Sequence, residues 1–242
     1  MTRFDRRSMN IEIMDDLQCS GDVVHQTLRE LETINKFLGG NNVTLDGLRS
    51  LLKNIPQPTE ITIADWGCGS GDMLKRMADW GRKNHRKLHL VGIDANPNII
   101  AFAIDNCRGY PEIEFEPINI FSDDFRGRKY DVVTATLFTH HFTDDELVNL
   151  LRFAMSQVRV GIVINDIHRH WLAYRSIRLL TRLFSKSEMV KFDAPLSVLR
   201  SFRRQDWEML LSKAGIRNFT LRWKWAFRWQ IVIDQHLRNK AI

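Results

Sequence analysis

Three groups of residues in this chain carry side chains able to do chemistry. The first is a turn and a strand end. Gly67, Gly69 and Gly71 fall two apart directly after Ile61-Thr-Ile-Ala-Asp-Trp66, and Asp94 closes the next apolar run, Val91-Gly-Ile-Asp94. Alternating β-branched residues that break into glycines describe a buried strand entering a turn where main chain comes close to a ligand. Met73, Leu74, Met77, Ala78 and Trp80 follow at helical spacing, so the turn opens a helix whose first N–H groups are free. Dinucleotide folds use G-x-G-x-x-G for a pyrophosphate. Here the order is G-x-G-x-G, with Asp65 before it and Asp72 opening the helix. An acidic turn repels phosphate and suits a ligand carrying an ammonium and a sulfonium. Asp94 is placed to accept both hydroxyls of a ribose.

The second group is His140 and His141, immediately after the apolar run Tyr130-Asp-Val-Val-Thr-Ala-Thr136. A lone histidine near a crevice is more often structural, but a pair just past a strand end suits a general base or a substrate-orienting group. The third group is Asp166, His168 and His170, after a further strand. Zinc or iron ligands often come in such company. Alternation can turn these side chains to opposite faces, and charged Arg169 stands between them, so no metal is expected. His168, as a further catalytic group, or His170, as a substrate-binding one, is instead expected to face a substrate.

The elements that must position these groups follow from periodicity. Residues to about 20 read as an arm. Val23, Val24, Leu28, Leu31, Ile34 and Leu38 mark a helix from Asp22 that Gly39-Gly40 stops, and a shorter helix spans about Leu45 to Leu52, before Pro56 and Pro58. Asn96-Pro97 caps a helix running to about Cys107, and Thr143-Asp-Asp-Glu146 is a capping box for one running to about Gln157. Strands are expected near Ile113 to Ile118, Tyr130 to Thr136 and Val158 to Ile164. Helices follow at Trp171 to Phe184 and Gln205 to Ala214, then strands near Phe219 to Trp225 and Trp229 to Ile233. Strand–helix alternation implies a parallel, doubly wound sheet with right-handed crossovers. The last two strands, joined tightly at Ala226-Phe-Arg228, should pair antiparallel.

Composition narrows the class. At 242 residues, 44% hydrophobic and 26% charged, the chain suits one globular domain with additions. No apolar run approaches the roughly 20 residues of a membrane helix. Met1-Thr-Arg-Phe-Asp-Arg-Arg has no apolar signal core behind it. Cys19, Cys68 and Cys107 are scattered, so a reduced, cytoplasmic protein is expected. The net charge of +6 gathers at Lys83, Arg86 and Lys87, and again from Arg169 through Arg204. Each cluster reads first as a solvated helix face; the second could also attract an anionic substrate, a membrane surface or nucleic acid.

Asp65, the three glycines and Asp94 in one strand–helix–strand unit strongly resemble the nucleotide-binding motif of class I S-adenosylmethionine (SAM)-dependent methyltransferases. The resemblance spans about residues 59 to 234. It implies an α/β fold with a doubly wound, mostly parallel seven-stranded sheet. An arm and helical cap would occupy 1–58 and the SAM-binding domain 59–242, with a helical lid inserted at about 169–203. It further implies that Gly67, Cys68, Gly69 and Gly71 let main chain approach SAM, and that Asp65 orders the loop or holds the amino group. Asp94 and Ala95 would meet the ribose. Asn119 stands where these enzymes often carry an aspartate receiving the adenine amino group, and Ile120 would pack on the adenine. Thr136 and Leu137 would line the methionine end.

Leu137-x-x-His140-His141-Phe142 is similar to a segment of many small-molecule methyltransferases. Ser197-x-x-Arg200-x-Phe202 is similar to one in quinone-biosynthesis C-methyltransferases, where Arg200 would orient an anionic or phenolate substrate. Ile11-Glu-Ile-Met-Asp-Asp16 and Ile34-Asn-Lys-Phe-Leu-Gly-Gly40 look like the leader of a bacterial subgroup. A sulfonium is already electrophilic, so alignment does most of the work and can supply about 7–11 kcal/mol. A histidine of pKa near 6.5 can serve a phenol near 10 if proton transfer is concerted, whereas an alkyl alcohol is far harder. The expected activity is methyl transfer to oxygen or activated carbon of a small phenolic, polyketide-derived or quinone-like acceptor. The runner-up is RNA or protein methylation, although Thr136-Leu-Phe-Thr139 lacks the Asn/Asp-Pro-Pro-Tyr/Phe motif of base amino-group enzymes. A SAM-binding protein without catalysis is a third reading, and dinucleotide oxidoreduction a distant fourth.

Overall fold

The computed structural model describes residues 3–57 and 59–235. The expected domain ends at 1–2 and 236–242, and the boundary residue Pro58, lie outside the described residues. Seven strands form one sheet: β1 Ile61–Trp66, β2 Leu88–Asp94, β3 Ile113–Pro117, β4 Tyr130–Thr136, β5 Val158–Ile167, β6 Phe219–Lys224 and β7 Arg228–Asp234. Their order is β3-β2-β1-β4-β5-β7-β6. Strands β1 to β5 pair in parallel, and β7 inserts antiparallel between β5 and β6. The direction of winding reverses between β1 and β4, which opens a crevice at their carboxyl ends.

Both faces of the sheet are covered, as the continuous apolar runs of its central strands require. On one face α2 (Gly40–Leu52) and α3 (Asp72–Lys83) bring Leu48, Leu52, Leu74 and Met77 onto Ile63, Leu90 and Val163. On the other, α5 (Asp144–Gln157) and α8 (Arg204–Lys213) bring Leu147, Leu151, Trp207 and Leu211 onto Val133, Ile162 and Ile231. The remaining helices are α1 (Asp22–Phe37), α4 (Pro97–Asn106), α6 (Trp171–Phe184) and α7 (Glu188–Arg200).

Three boundaries differ from the periodic reading, each for a local reason. Helix α2 starts at Gly40, not near Leu45, because Gly39 adopts φ +68° and turns the chain at once into a new helix. Strand β5 continues to Ile167, because β7 pairs along its last residues, Asn165 with Gln230 and Asp166 with Trp229. Asp166 is therefore a strand residue. The segment around Asp193 is helical despite Pro195, so the insertion is two helices rather than one. Its apolar stripe also divides: Leu172, Leu179, Leu183 and Phe184 are exposed, while Ile177 and Leu180 face inward. Of the tryptophans in the last strands, Trp229 is core, whereas Trp223 and Trp225 are exposed.

The arm is fastened to the insertion. Ser8 N–H donates to Leu199 O (2.9 Å), and the N–H groups of Ile13 and Met14 donate to the Asp193 carboxylate at 2.8 and 3.1 Å. Arm, α1, α6 and α7 together roof the crevice.

Candidate active site

The crevice is a cavity of about 930 Å³, large enough for two ligands of moderate size. Its floor is the set of turns at the carboxyl ends of β1, β2, β4 and β5, and its roof comes from the arm, α1 and the two inserted helices.

At the β1–β2 end the main chain is shaped for close approach. Gly67 and Gly69 take φ +68° and +52°. A Cβ on Gly67 would collide with the Phe138 ring, so only glycine fits beneath that side chain. Gly67 N–H and Cys68 N–H donate to Ile93 O at 2.8 and 3.1 Å, which ties the turn to β2. Asp65 is buried and accepts from Thr134 Oγ1 at 2.6 Å. Burial pushes its carboxyl up to about 7, with Asp72 adding to the rise. Among the described residues no cationic side chain stands among the groups that act on it.

Asp94 faces the cavity, with Gly69 N–H at 3.4 Å on Oδ2 and Asn96 N–H at 3.0 Å on Oδ1. Burial raises its pKa as well. Cys68, Ala95, Asn119 and Ile120 line the same end. The Asn119 amide oxygen is occupied by Phe121 N–H at 2.9 Å. Thr136 and Leu137 also line the cavity; Thr136 shares a hydroxyl hydrogen bond with Thr44 (2.8 Å), and Leu137 turns the chain at φ +56°.

At the β4–β5 end the two histidines stand side by side, ring centroids 4.3 Å apart. His140 Nδ1 lies 2.8 Å from Asp166 Oδ1, and its own N–H (3.1 Å) and Thr139 Oγ1 (2.5 Å) donate to Oδ2. Burial alone would raise Asp166, but the charge and hydrogen bond of His140 outweigh it and hold the carboxyl down at about 2. An ionised acceptor at Nδ1 leaves Nε2 as the reactive nitrogen. That nitrogen points at Glu12 Oε1, 3.7 Å away. His141 Nδ1 meets Asp15 Oδ1 at 2.5 Å, and although burial opposes it, His141 and Arg200 hold Asp15 well below the usual carboxylate range. Burial pushes Glu12 up to about 7, against the pull of His141, Ser197 and Arg200. The arrangement can take a proton at Nε2 and stabilise the resulting imidazolium through Asp166.

Some expected site residues stand elsewhere. His168 and His170 are not in the cavity. His168 accepts from Trp223 Nε1 at 3.3 Å and lies edge-on to Trp229, while His170 caps α6 and stacks on Phe227. His168 lies just past the end of β5, where its N–H donates to Phe227 O at 2.8 Å and holds it beside the β6–β7 turn. Burial, helped by His170 and Arg169, lowers His168 to about 4. Gly71 supports the turn from behind, where a Cβ would press on Cys107 and Phe115. Arg200 does line the cavity but is already engaged: Nη1 meets Asp15 (2.5 Å), Nη2 the His141 carbonyl (2.7 Å) and Nε the His140 carbonyl (3.2 Å). It fastens the arm to the histidine turn rather than offering a free anion site.

The residues missed from sequence are Glu12, Asp15 and Asp166 as histidine partners. Only the Glu-x-x-Asp spacing near the leader hinted at the first two. Among the described residues, Glu12, His140 and His141 are the group whose donor atoms, all within 4.8 Å, could gather a metal ion. Arg200 Nε already stands 3.7 Å from that Glu12 oxygen. Asp166, His168 and His170 do not converge.

The fold agrees with known proteins. Residues 63–161 match the family model of a methyltransferase domain. No curated protein matches it. Among solved structures it is similar to human N-acetylserotonin methyltransferase in complex with SAM (18% identity, TM-score 0.61), covering 88% of this chain and 55% of that one. It is also similar to the plantazolicin methyltransferase BpumL in complex with S-adenosylhomocysteine (SAH), at 19% identity and TM-score 0.58, over 83% of this chain and 82% of that one. A third is the CurJ carbon methyltransferase, at 17% identity and TM-score 0.58, over 81% of this chain and 53% of that one. The fold is the Rossmann-like methyltransferase fold. The chain spans little more than half the length of the first and third of these proteins.

Proposed function

We propose that this protein is a SAM-dependent methyltransferase that methylates oxygen or an activated carbon of a small phenolic, polyketide-derived or quinone-like acceptor. The observation that carries the reading is one cavity with an acidic glycine turn and Asp94 at one end and the Asp166–His140 pair at the other. The two ends fit the two reactants. The turn offers a cradle that a Cβ on Gly67 would fill, and Asp65 is a buried carboxyl lacking a cation.

In this reading Gly67, Cys68 and Gly69 carry the nucleoside through close main chain, Asp94 and Ala95 hold the ribose, and Asn119 and Ile120 flank the base. Asp65, Thr136 and Leu137 meet the amino-acid end. When bound, SAM supplies an electrophilic methyl. His140 Nε2 takes the acceptor's hydroxyl proton as its oxygen attacks, and Asp166 stabilises the imidazolium formed. His141, held by Asp15, orients the acceptor, and Arg200 keeps Asp15 and Glu12 in place. Alignment of the reactants lowers the barrier most. The arm and cap of 1–58 and the lid of 169–203 exclude water over the domain of 59–242.

Exposed Trp171, Leu179, Leu183 and Phe184 on α6 lie among Arg175, Arg178 and Arg182, which suits peripheral contact with an anionic membrane for a lipophilic acceptor. No helix among the described residues is long and apolar enough to cross a membrane. Three free cysteines suit a reducing, cytoplasmic setting. A screen of labelled methyl transfer to phenols, quinol precursors and RNA tests the function. Transfer to a phenol or quinol is expected. Transfer to RNA with strong salt dependence overturns the acceptor class, and SAM binding without any transfer overturns catalysis.

A further inference from the structure

Three guanidinium groups line the cavity: Arg7, Arg200 and Arg228. Two are fully engaged by the protein. Arg7 meets Asp144 (2.6 Å), Phe142 O (2.7 Å) and Arg200 O (2.7 Å), and Arg200 is engaged as described. Arg228 differs. It opens β7, is 4% exposed, and among the described residues its one hydrogen bond to a side chain is Nη2 to Asn35 Oδ1 at 3.0 Å. Its Nη1 is buried without a hydrogen-bond partner among the described residues. The carboxylate whose charge it feels is Asp166, already engaged by His140, Thr139 and the Ile167 N–H. Burial lowers this guanidinium to about 10, which still leaves it charged at neutral pH. A glycine keeps the space beside it: a Cβ on Gly40 would stand 3.1 Å from Nη2. Leu31 and Leu38, on the same face of the chain as Asn35, make the adjoining wall apolar.

A buried cation without an anion is costly and is normally paired. We propose that Arg228 is a carboxylate receptor of the cavity, its free Nη1 completing a charge-assisted pair with a ligand carboxylate beside an apolar wall. That carboxylate is carried either by the amino-acid end of the methyl donor or by an acid group on the acceptor. The inference rests on the methyltransferase reading for the names of these two ligands, not for the site itself.

Calorimetry on the full chain and on Arg228→Met tests it with two pairs of probes. SAH is compared with 5′-methylthioadenosine, which lacks the amino-acid part, and salicylate with salicylamide, which lacks the charge. The expected result is that Arg228→Met weakens SAH or salicylate at least ten-fold and leaves its uncharged counterpart unchanged. Loss confined to SAH assigns the donor carboxylate, and loss confined to salicylate assigns the acceptor. Wild-type affinity for both carboxylates in Arg228→Met overturns the proposal. Should that variant not fold, Arg228→Lys, which keeps the charge but not the paired N–H donors, must lose part of the same preference; full retention overturns it equally. A wild-type chain that binds neither adenosine probe contradicts the methyltransferase reading, while the salicylate pair still decides on Arg228.

Discussion

Asp65→Asn should stabilise the protein and damage its cofactor site at once. Asp65 is buried with one hydroxyl donor, and burial lifts its carboxyl to about 7 from an ordinary value near 3.9. The native state therefore keeps a proton that the unfolded chain releases. Stability from this group is complete below about pH 3.9, falls as pH rises, and is lost once the folded carboxyl ionises above about 7. The gap corresponds to about 4 kcal/mol in total, of which on the order of 3 kcal/mol falls between pH 5 and pH 8. Asparagine does not titrate, and its amide oxygen still accepts from Thr134. Urea unfolding of both proteins at pH 5 and pH 8 measures the effect: the stability advantage of Asp65→Asn should grow by about 3 kcal/mol over that interval. The same variant should bind SAM at least ten-fold more weakly, because the ligand ammonium loses its counter-charge. An advantage that grows by less than about 1 kcal/mol, or unchanged SAM affinity, would refute the idea that this buried acid waits for a cation.

Four further outcomes are expected. Asp94→Ala should weaken SAH at least ten-fold by calorimetry, since it removes charge-assisted bonds worth about 1.5–3 kcal/mol each. Gly67→Ala should cost about 1–3 kcal/mol in thermal or urea unfolding, because its φ of +68° and the Phe138 ring both exclude a Cβ. Asp166→Asn should lower kcat at least ten-fold, as its carboxylate meets His140 and stabilises the imidazolium. His168→Gln should leave kcat and KM within about two-fold in the same assay, since that ring packs against Trp223 and Trp229 outside the cavity.

Much of the fold was legible because its signals are local. Ile61 to Trp66 and Tyr130 to Thr136 are short runs rich in β-branched and apolar residues, Asn96-Pro97 and Thr143-x-x-Glu146 are caps, and the glycine turn with Asp94 sits within one strand–helix–strand unit. These features do not depend on what the rest of the chain does. The acid partners of the histidines were not legible, because Glu12 and Asp15 reach His140 and His141 from an arm far away in sequence. No periodicity encodes that meeting. His168 and His170 were misplaced for a related reason. A strand end was expected at Ile164, and the pairing of β7 carried β5 on to Ile167, which settled the faces of the residues beyond it. Arg200 lines the cavity, but its neighbours, which take up its donors, could not be read from Ser-x-x-Arg-x-Phe.

A crystal structure of the SAH complex tests the central claim most directly. It should show the ribose hydroxyls on the Asp94 carboxylate and the sulfur directed toward the space before His140 Nε2. A nucleoside lying away from Asp94, or a sulfur separated from His140 by packed side chains, would contradict it.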